Sequence, residues 1–203
     1  KKNRVGKTVW NNGSYNPILD KDGNLLFVIK FAIDISQQKF LSLDLTQQHK
    51  AIDNSYCIVH FDLDMNIIYS NEKFARLLSY EREELENHSH KKLLFEEDLN
   101  DHYHFFWNSL KSGFSMPGEF RRKTRLGKEV WIRGSYNPVY EDNGKVYKII
   151  KYAIDITKEK EVYNNYKSQL DAINRSNAII EFDTNGIIQS VNNNFSDIVG
   201  YTR

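Results

Sequence analysis

One cysteine, Cys57, occurs in the 203 residues, which excludes an internal disulfide and a cysteine-rich metal cluster. Neither sign of charge dominates. Lys and Arg number 28 against 27 Asp and Glu, and a net charge of +1 gives no electrostatic ground for nucleic acid or an anionic membrane as partner. No apolar run approaches the roughly 18–20 residues that span a bilayer, and the opening KKNRVGKTVW has no apolar core of a secretory signal. Gly-rich phosphate loops, HExxH and a recognisable Ser/His/Asp context are all missing, so the expectation is a protein without a catalytic site. A lone thiol and the lack of targeting segments fit a cytoplasmic setting.

What is present is repetition. Trp10, Pro17 and Asp34 recur as Trp131, Pro138 and Asp155, and Ala51, Asn71 and Phe74 recur as Ala172, Asn192 and Phe195, every pair 121 positions apart. A repeat of that length is domain-sized rather than a solenoid unit. The phase predicts the C-terminal part of one unit at 1–40, a linker helix at 41–53, a complete unit at 54–157, a second linker helix at 158–173, and the N-terminal part of a further unit at 174–203. The chain reads as a window on a longer tandem array.

Within the complete unit, Cys57, Val59 and Phe61 alternate with Tyr56 and His60, which predicts a strand over 55–61 with Cys57 as plain core. A turn at Asp62–Asn66, a strand at Ile67–Ser70, and Asn71 capping a helix from about Glu72 follow. Residues 82–113 are helical in short pieces. Three strands close the unit, at 118–124, 129–136 and 146–156, with hairpin turns at Leu126–Gly127 and Glu141–Gly144. Two strands, a helical insert and three strands imply an α+β fold, a five-stranded antiparallel sheet with helices on one side. In the second linker Tyr163, Tyr166, Leu170 and Ile173 make a stripe. It packs on its own sheet or pairs with a second chain; the equivalent Ser42, Leu45, His49 and Ile52 form a weaker one.

FDLDMNIIYSNEKFARLLSY, the strand pair in RRKTRLGKEVWI, YNPVYEDNGKVYKIIKYAIDIT and the closing Asp155-Ile156-Thr157 resemble PAS domains. The likeness is to the tandem PAS domains of bacterial methyl-accepting chemotaxis proteins and biofilm-dispersal regulators. It implies a sheet in the spatial order 2-1-5-4-3 with helices enclosing a pocket. It also implies that segments 1–40 and 174–203 could pair, within a chain or between two, to complete most of a further sheet.

Candidate site residues follow from the resemblance. Many PAS domains hold haem through one histidine on the helices, which points to His90, then His88; His102 is a third candidate, one turn from Phe105 and Phe106. The ordinary alternative is that these are surface or capping histidines, and no metal is expected unless haem binds His90 or His102. Flavin is a lesser alternative, because no inward pair of Asn or Gln side chains is evident. Ile132 and Tyr136 would line the pocket, with Trp131 on the outer face. Lys151 is ambiguous. Counting back from Asp155 places it in the pocket with Ile149 and Ala153, facing an acidic side chain or a carboxylate ligand, whereas alternation makes Ile150, Tyr152 and Ile154 the apolar face and turns Lys151 to solvent. Asp155, Thr157 and Trp131 mark the junction that would pass a signal to the linker helix. The reading is the sensory region of a chemoreceptor, binding a small ligand, a cofactor or a partner, and dimeric through linker helices or sheet faces. The PAS region of a histidine kinase or diguanylate cyclase, or a ligand-free dimerisation scaffold, are the alternatives.

Overall fold

The computed structural model describes all residues except 1, 3, 7 and 201–203. The chain divides into two compact units, 1–55 and 56–203. The first holds an antiparallel hairpin, β1 (Asn11–Leu19) and β2 (Leu25–Asp34), followed by α1 (Ser36–Ser55). Its turn is an Asx turn, with Asp20 Oδ1 accepting from the amides of Asp22 and Asn24 at 2.9 and 2.8 Å.

The second unit opens with β3 (Cys57–Phe61) and β4 (Ile67–Ser70), then α2 (Glu72–Leu77), α3 (Arg82–Leu85), two 3₁₀ turns at His90–Leu93 and Glu96–Asp98, and α4 (Asp101–Lys111). Strands β5 (Met116–Lys123), β6 (Glu129–Tyr140) and β7 (Val146–Asp155) complete an antiparallel sheet in the order β4-β3-β7-β6-β5, the order the sequence led us to expect. After it come α5 (Thr157–Ser176), a short hairpin of β8 (Ile180–Phe182) and β9 (Ile188–Val191), and α6 (Asn193–Val199).

Asn71 fixes how the chain leaves the sheet. Its Oδ1 accepts from Phe74 N, capping α2, and from Ile58 N, both at 2.9 Å, while Nδ2 donates to Tyr56 O at 2.8 Å. The arrangement recurs 121 residues later, where Asn192 Oδ1 accepts from Phe195 N and Ile179 N at 3.0 and 2.9 Å.

Side chains directly opposite in paired strands share a face. The register sets Val59 against Lys151, Lys151 against Tyr136, and Tyr136 against Met116, so one row crosses the covered face of the sheet. Phe61 and Ile149 form the next row. Phe74, Leu78, Leu85, Tyr103, Trp107 and Leu110 close over these rows from the helices.

Several strand limits differ from expectation, two of them by more than a residue within the closing three strands. β5 begins at Met116, and β6 runs on through Pro138 to Tyr140. Pairing between β5 and β6 stops at Tyr136, so Pro138 lies where one edge of β6 is open and a missing N–H is tolerated.

At Gly134 β6 and β7 approach closely. A Cβ there would lie 2.1 Å from Tyr152 O and 2.7 Å from Ala153 Cβ, and the matching Gly13 would meet Phe31 O at 2.2 Å. Gly134→Ala is therefore expected to cost about 2 kcal/mol or more through overpacking, read as a lower urea midpoint at unchanged slope. An unchanged midpoint would mean that the strands part without cost.

Candidate functional site

The 3₁₀ turn after Ser89 delivers His90 into the core, where it is 1% exposed. Its ring lies edge-on to Phe61 and Trp107, with centroids 5.2 and 5.3 Å away, and is stacked with Tyr103 at 5.8 Å. Nδ1 is 3.3 Å from Tyr103 Oη and Nε2 is 3.0 Å from Tyr136 Oη. Arg122, on β5 and 6% exposed, places Nη2 2.7 Å from Tyr136 Oη and 3.4 Å from His90 Nε2. Lys151, 1% exposed, reaches Tyr136 Oη at 3.0 Å, its Nζ 4.4 Å from the Phe120 ring centre.

One phenol oxygen thus gathers three nitrogens. Arg122 only donates, and Lys151 donates as well, so the Tyr136 hydroxyl gives its own proton to His90 Nε2. That assigns the His90 tautomer: Nε2 bare, Nδ1 protonated and donating to Tyr103. Burial, and then the Arg122 and Lys151 charges, hold His90 well below its usual pKa, so it is neutral. Burial, and then Arg122, also push Lys151 well below the ordinary lysine range. Burial raises the Tyr103 phenol to about 12 and raises Tyr136 too. Among the described residues no Asp or Glu is buried as a whole, though Asp98 Oδ2 is, and none forms an ion pair with Arg122 or Lys151.

Beside this cluster lies a cavity of about 360 Å³. Its inner wall is His90, Tyr103, Phe106, Phe120 and Arg122; Glu119, Arg121 and Trp131, of opposite parity on β5 and β6, line it where it opens at the β5 edge.

The outer face carries the junction. Asp155 Oδ1 accepts from Thr157 N at 2.9 Å and from Thr157 Oγ1 at 2.5 Å. Thr157 Oγ1 accepts from Trp131 N at 3.0 Å, and Ile156 N donates to Trp131 O at 2.9 Å. Lys160 Nζ lies 2.6 Å from Glu119 Oε2 and 4.9 Å from the centre of the Trp131 ring. In the first unit Trp10 N donates to Ser36 Oγ at 2.9 Å, and Asp34 Oδ1 accepts from Ser36 N at 2.8 Å.

The predicted residues separate. His90, Ile132, Tyr136 and Lys151 are buried on the inner face; Trp131, Asp155 and Thr157 meet at the junction. His88 is exposed, its Nδ1 3.1 Å from Glu86 O. His102 is exposed on the first turn of α4, because the buried face of that helix is Tyr103, Trp107 and Leu110. Phe105, the expected neighbour of a buried His102, is 68% exposed. The alternation argument for an outward Lys151 fails, since the register with Val59 and Tyr136 turns it inward. Sequence reasoning missed Arg122, Tyr103, Trp107 and Phe120. Arg122 had a signal, for it pairs with Val130 two residues from inward Ile132.

Haem does not fit this arrangement. An iron ligand needs one ring nitrogen free and facing open space, and both nitrogens of His90 are engaged with tyrosine hydroxyls in a ring packed among aromatics. His102 borders the cavity but is itself exposed on the first turn of α4.

Comparison with known proteins agrees with the fold. Residues 67–153 match the family described as PAS fold. The biofilm dispersion protein BdlA of Pseudomonas aeruginosa is 36% identical over 156 residues, which cover 76% of this chain and 37% of that protein's length. The crystal structure of a PAS domain from Colwellia psychrerythraea superposes with a TM-score of 0.50 at 27% identity, covering 56% of this chain and 98% of that one. The N-terminal domain of a diguanylate cyclase with PAS/PAC sensor from Marinobacter aquaeolei reaches a TM-score of 0.45 at 22% identity, covering 52% and 99%. The second unit holds a PAS domain, and the chain is homologous to BdlA.

Folding withholds from Lys151 a proton that the unfolded chain takes up below its ordinary pKa of 10.5. The unfolded state then binds more protons, so this residue lowers stability progressively as pH falls from about 10 towards its depressed folded pKa. Lys151→Met should remove that contribution, raising stability at pH 7 by about 1–4 kcal/mol and flattening the pH dependence between 7 and 9. Denaturation midpoints of both proteins across that range check it; parallel curves would mean that Lys151 stays protonated in the fold.

Proposed function

We propose that this PAS domain is the sensory module of a bacterial chemotaxis-type signalling protein, reporting the state of its interior through α5. The observation that carries the reading is a shared pair of residues. Glu119 and Trp131 line the mouth of the cavity, and the same two side chains hold Lys160 on the first turn of α5. A molecule entering the cavity displaces the residues that anchor the helix. The output is a shift between two packings of that helix, favoured by whatever binds one of them better. No bond-making step is involved.

Homology to BdlA, named for biofilm dispersion, supports a signalling role. The chain spans 37% of that relative's length; a methyl-accepting receptor context, tandem PAS units and cytoplasmic placement belong to this reading. So does a homodimer. Tyr163, Tyr166 and Leu170 are 64%, 65% and 59% exposed on α5, an apolar stripe at coiled-coil spacing that suits a second copy. A second reading, a ligand-free dimerisation scaffold, is favoured by the way Phe61, Trp107 and Tyr136 fill the centre of the domain.

The two readings differ in coupling. Tyr136→Phe removes the hydroxyl that organises the interior without touching α5. If the domain is a sensor, amide exchange in residues 157–163 should rise about fivefold or more, and Lys160→Ala should already show the faster exchange and add little to Tyr136→Phe. Exchange changes confined to the core, with α5 unmoved, would leave only the scaffold.

A further inference from the structure

We propose that the cavity takes a small organic monocarboxylate, its carboxylate on Arg122 and its apolar body against Phe106 and Phe120. The proposal rests on the sensory reading of the same cavity and adds the chemical class of what is sensed.

The first observation is an imbalance of charge. The buried polar residues are Ser70, Asn71, His90, Arg122, Thr124 and Lys151, two basic side chains and no acid among the described residues. A guanidinium does not shed its proton, so burial leaves Arg122 charged and in need of a counter-ion. Its protein partners are a phenol, a neutral imidazole and the Arg121 carbonyl, none of which brings negative charge. Those three contacts leave part of a five-donor fork unused.

The acids near the cavity form their ion pairs with cations other than Arg122. Asp98 Oδ1 and Glu97 both receive Arg121 Nη2, at 3.1 and 2.8 Å. Asp98 also lines the cavity, and its Oδ2 is buried without a hydrogen-bond partner, so a carboxylate held on Arg122 keeps clear of that oxygen. Glu119 is matched by Arg133 and Lys160 at 2.9 and 2.6 Å. Within this arrangement Arg122 is the cation left uncompensated at the inner end.

The second observation concerns the shape of the ligand. Leu94, Tyr103, Phe106 and Phe120 give the space of about 360 Å³ an apolar wall, which a bare inorganic ion would leave unused. One fork at one end and hydrocarbon along the sides fit a carboxylate on an apolar or aromatic body. Lys151 sits behind Tyr136 and donates to the same hydroxyl, so it does not compete for the ligand.

The test uses the full 203-residue chain with benzoate, phenylacetate and butyrate as probes, their neutral amides as isosteres, and sulfate as a bare anion. Thermal unfolding and tryptophan fluorescence would be followed up to about 10 mM, the range of the weakest specific binding. The expected result is saturable stabilisation by at least one carboxylate, absent for its amide and for sulfate, and weakened about tenfold or more in Arg122→Gln. The wild-type comparison stands even if that variant folds poorly. Equal binding of acid and amide, no binding by any carboxylate, or equal stabilisation by sulfate would each overturn the proposal. A neutral compound that binds and alters exchange in α5 would overturn the ligand class and leave the sensory reading standing. A carboxylate that binds without altering α5 would do the reverse.

Discussion

The hydroxyl of Tyr136 is the point on which the interior of the PAS unit turns. Without it, the Lys151 amine would lose its acceptor, Arg122 would keep only the Arg121 carbonyl and the His90 ring, and His90 would lose the donor that sets its tautomer. Unmade bonds of that kind cost far more than made ones contribute. The oxygen sits there because the register of two strand pairs puts Tyr136 beside Lys151 on the covered face, and because β5 brings Arg122 to the same side. Backbone pairing therefore decides the polar chemistry of the core before any side chain chooses a rotamer.

The fold was largely legible in the sequence. Alternation in Cys57–Phe61, the Asn71 cap and the hairpin turns located the elements, and the likeness to PAS domains supplied the strand order. The site was legible only in part. Lys151 misled because the other face of β7, Ile150, Tyr152 and Ile154, is itself apolar, so alternation alone chooses the wrong side. Arg122 was hidden in a run of basic residues that looks solvated. The α4 face was read one position early: Tyr103, Trp107 and Leu110 keep helical spacing as well as His102 and Phe106 do. Single-strand patterns cannot resolve such cases. Cross-strand register can, since Arg122 opposite Val130 and Lys151 opposite Val59 inherit the face of an apolar partner.

The 121-residue periodicity looks different once geometry is attached to it. The residues that recur are those that make local devices: the tight β crossing at Gly13 and Gly134, the Trp–Asp–Ser/Thr clamp at 10, 34 and 36 and at 131, 155 and 157, and the asparagine caps at 71 and 192. Tyr15 and Lys30 lie opposite each other as Tyr136 and Lys151 do, with Lys30 Nζ 5.1 Å from the Tyr15 ring centre. What the repeat preserves is the way strands meet and how a helix leaves them.

That clamp also limits what kind of movement α5 can make. Trp131 offers both its N–H and its carbonyl to the two residues that begin the helix, so the helix has no slack along its own axis. A slip of β6 past β7 by one residue would turn every inner side chain outward, and the buried row through Tyr136 forbids it. With sliding opposed at both ends, a change of sheet twist is the motion that keeps these contacts. On the proposed sensory reading the coupling would then be a gear rather than a piston, in which a small torsion at β5 and β6 re-aims a helix of 20 residues, whose far end, about 30 Å away, sweeps the widest arc.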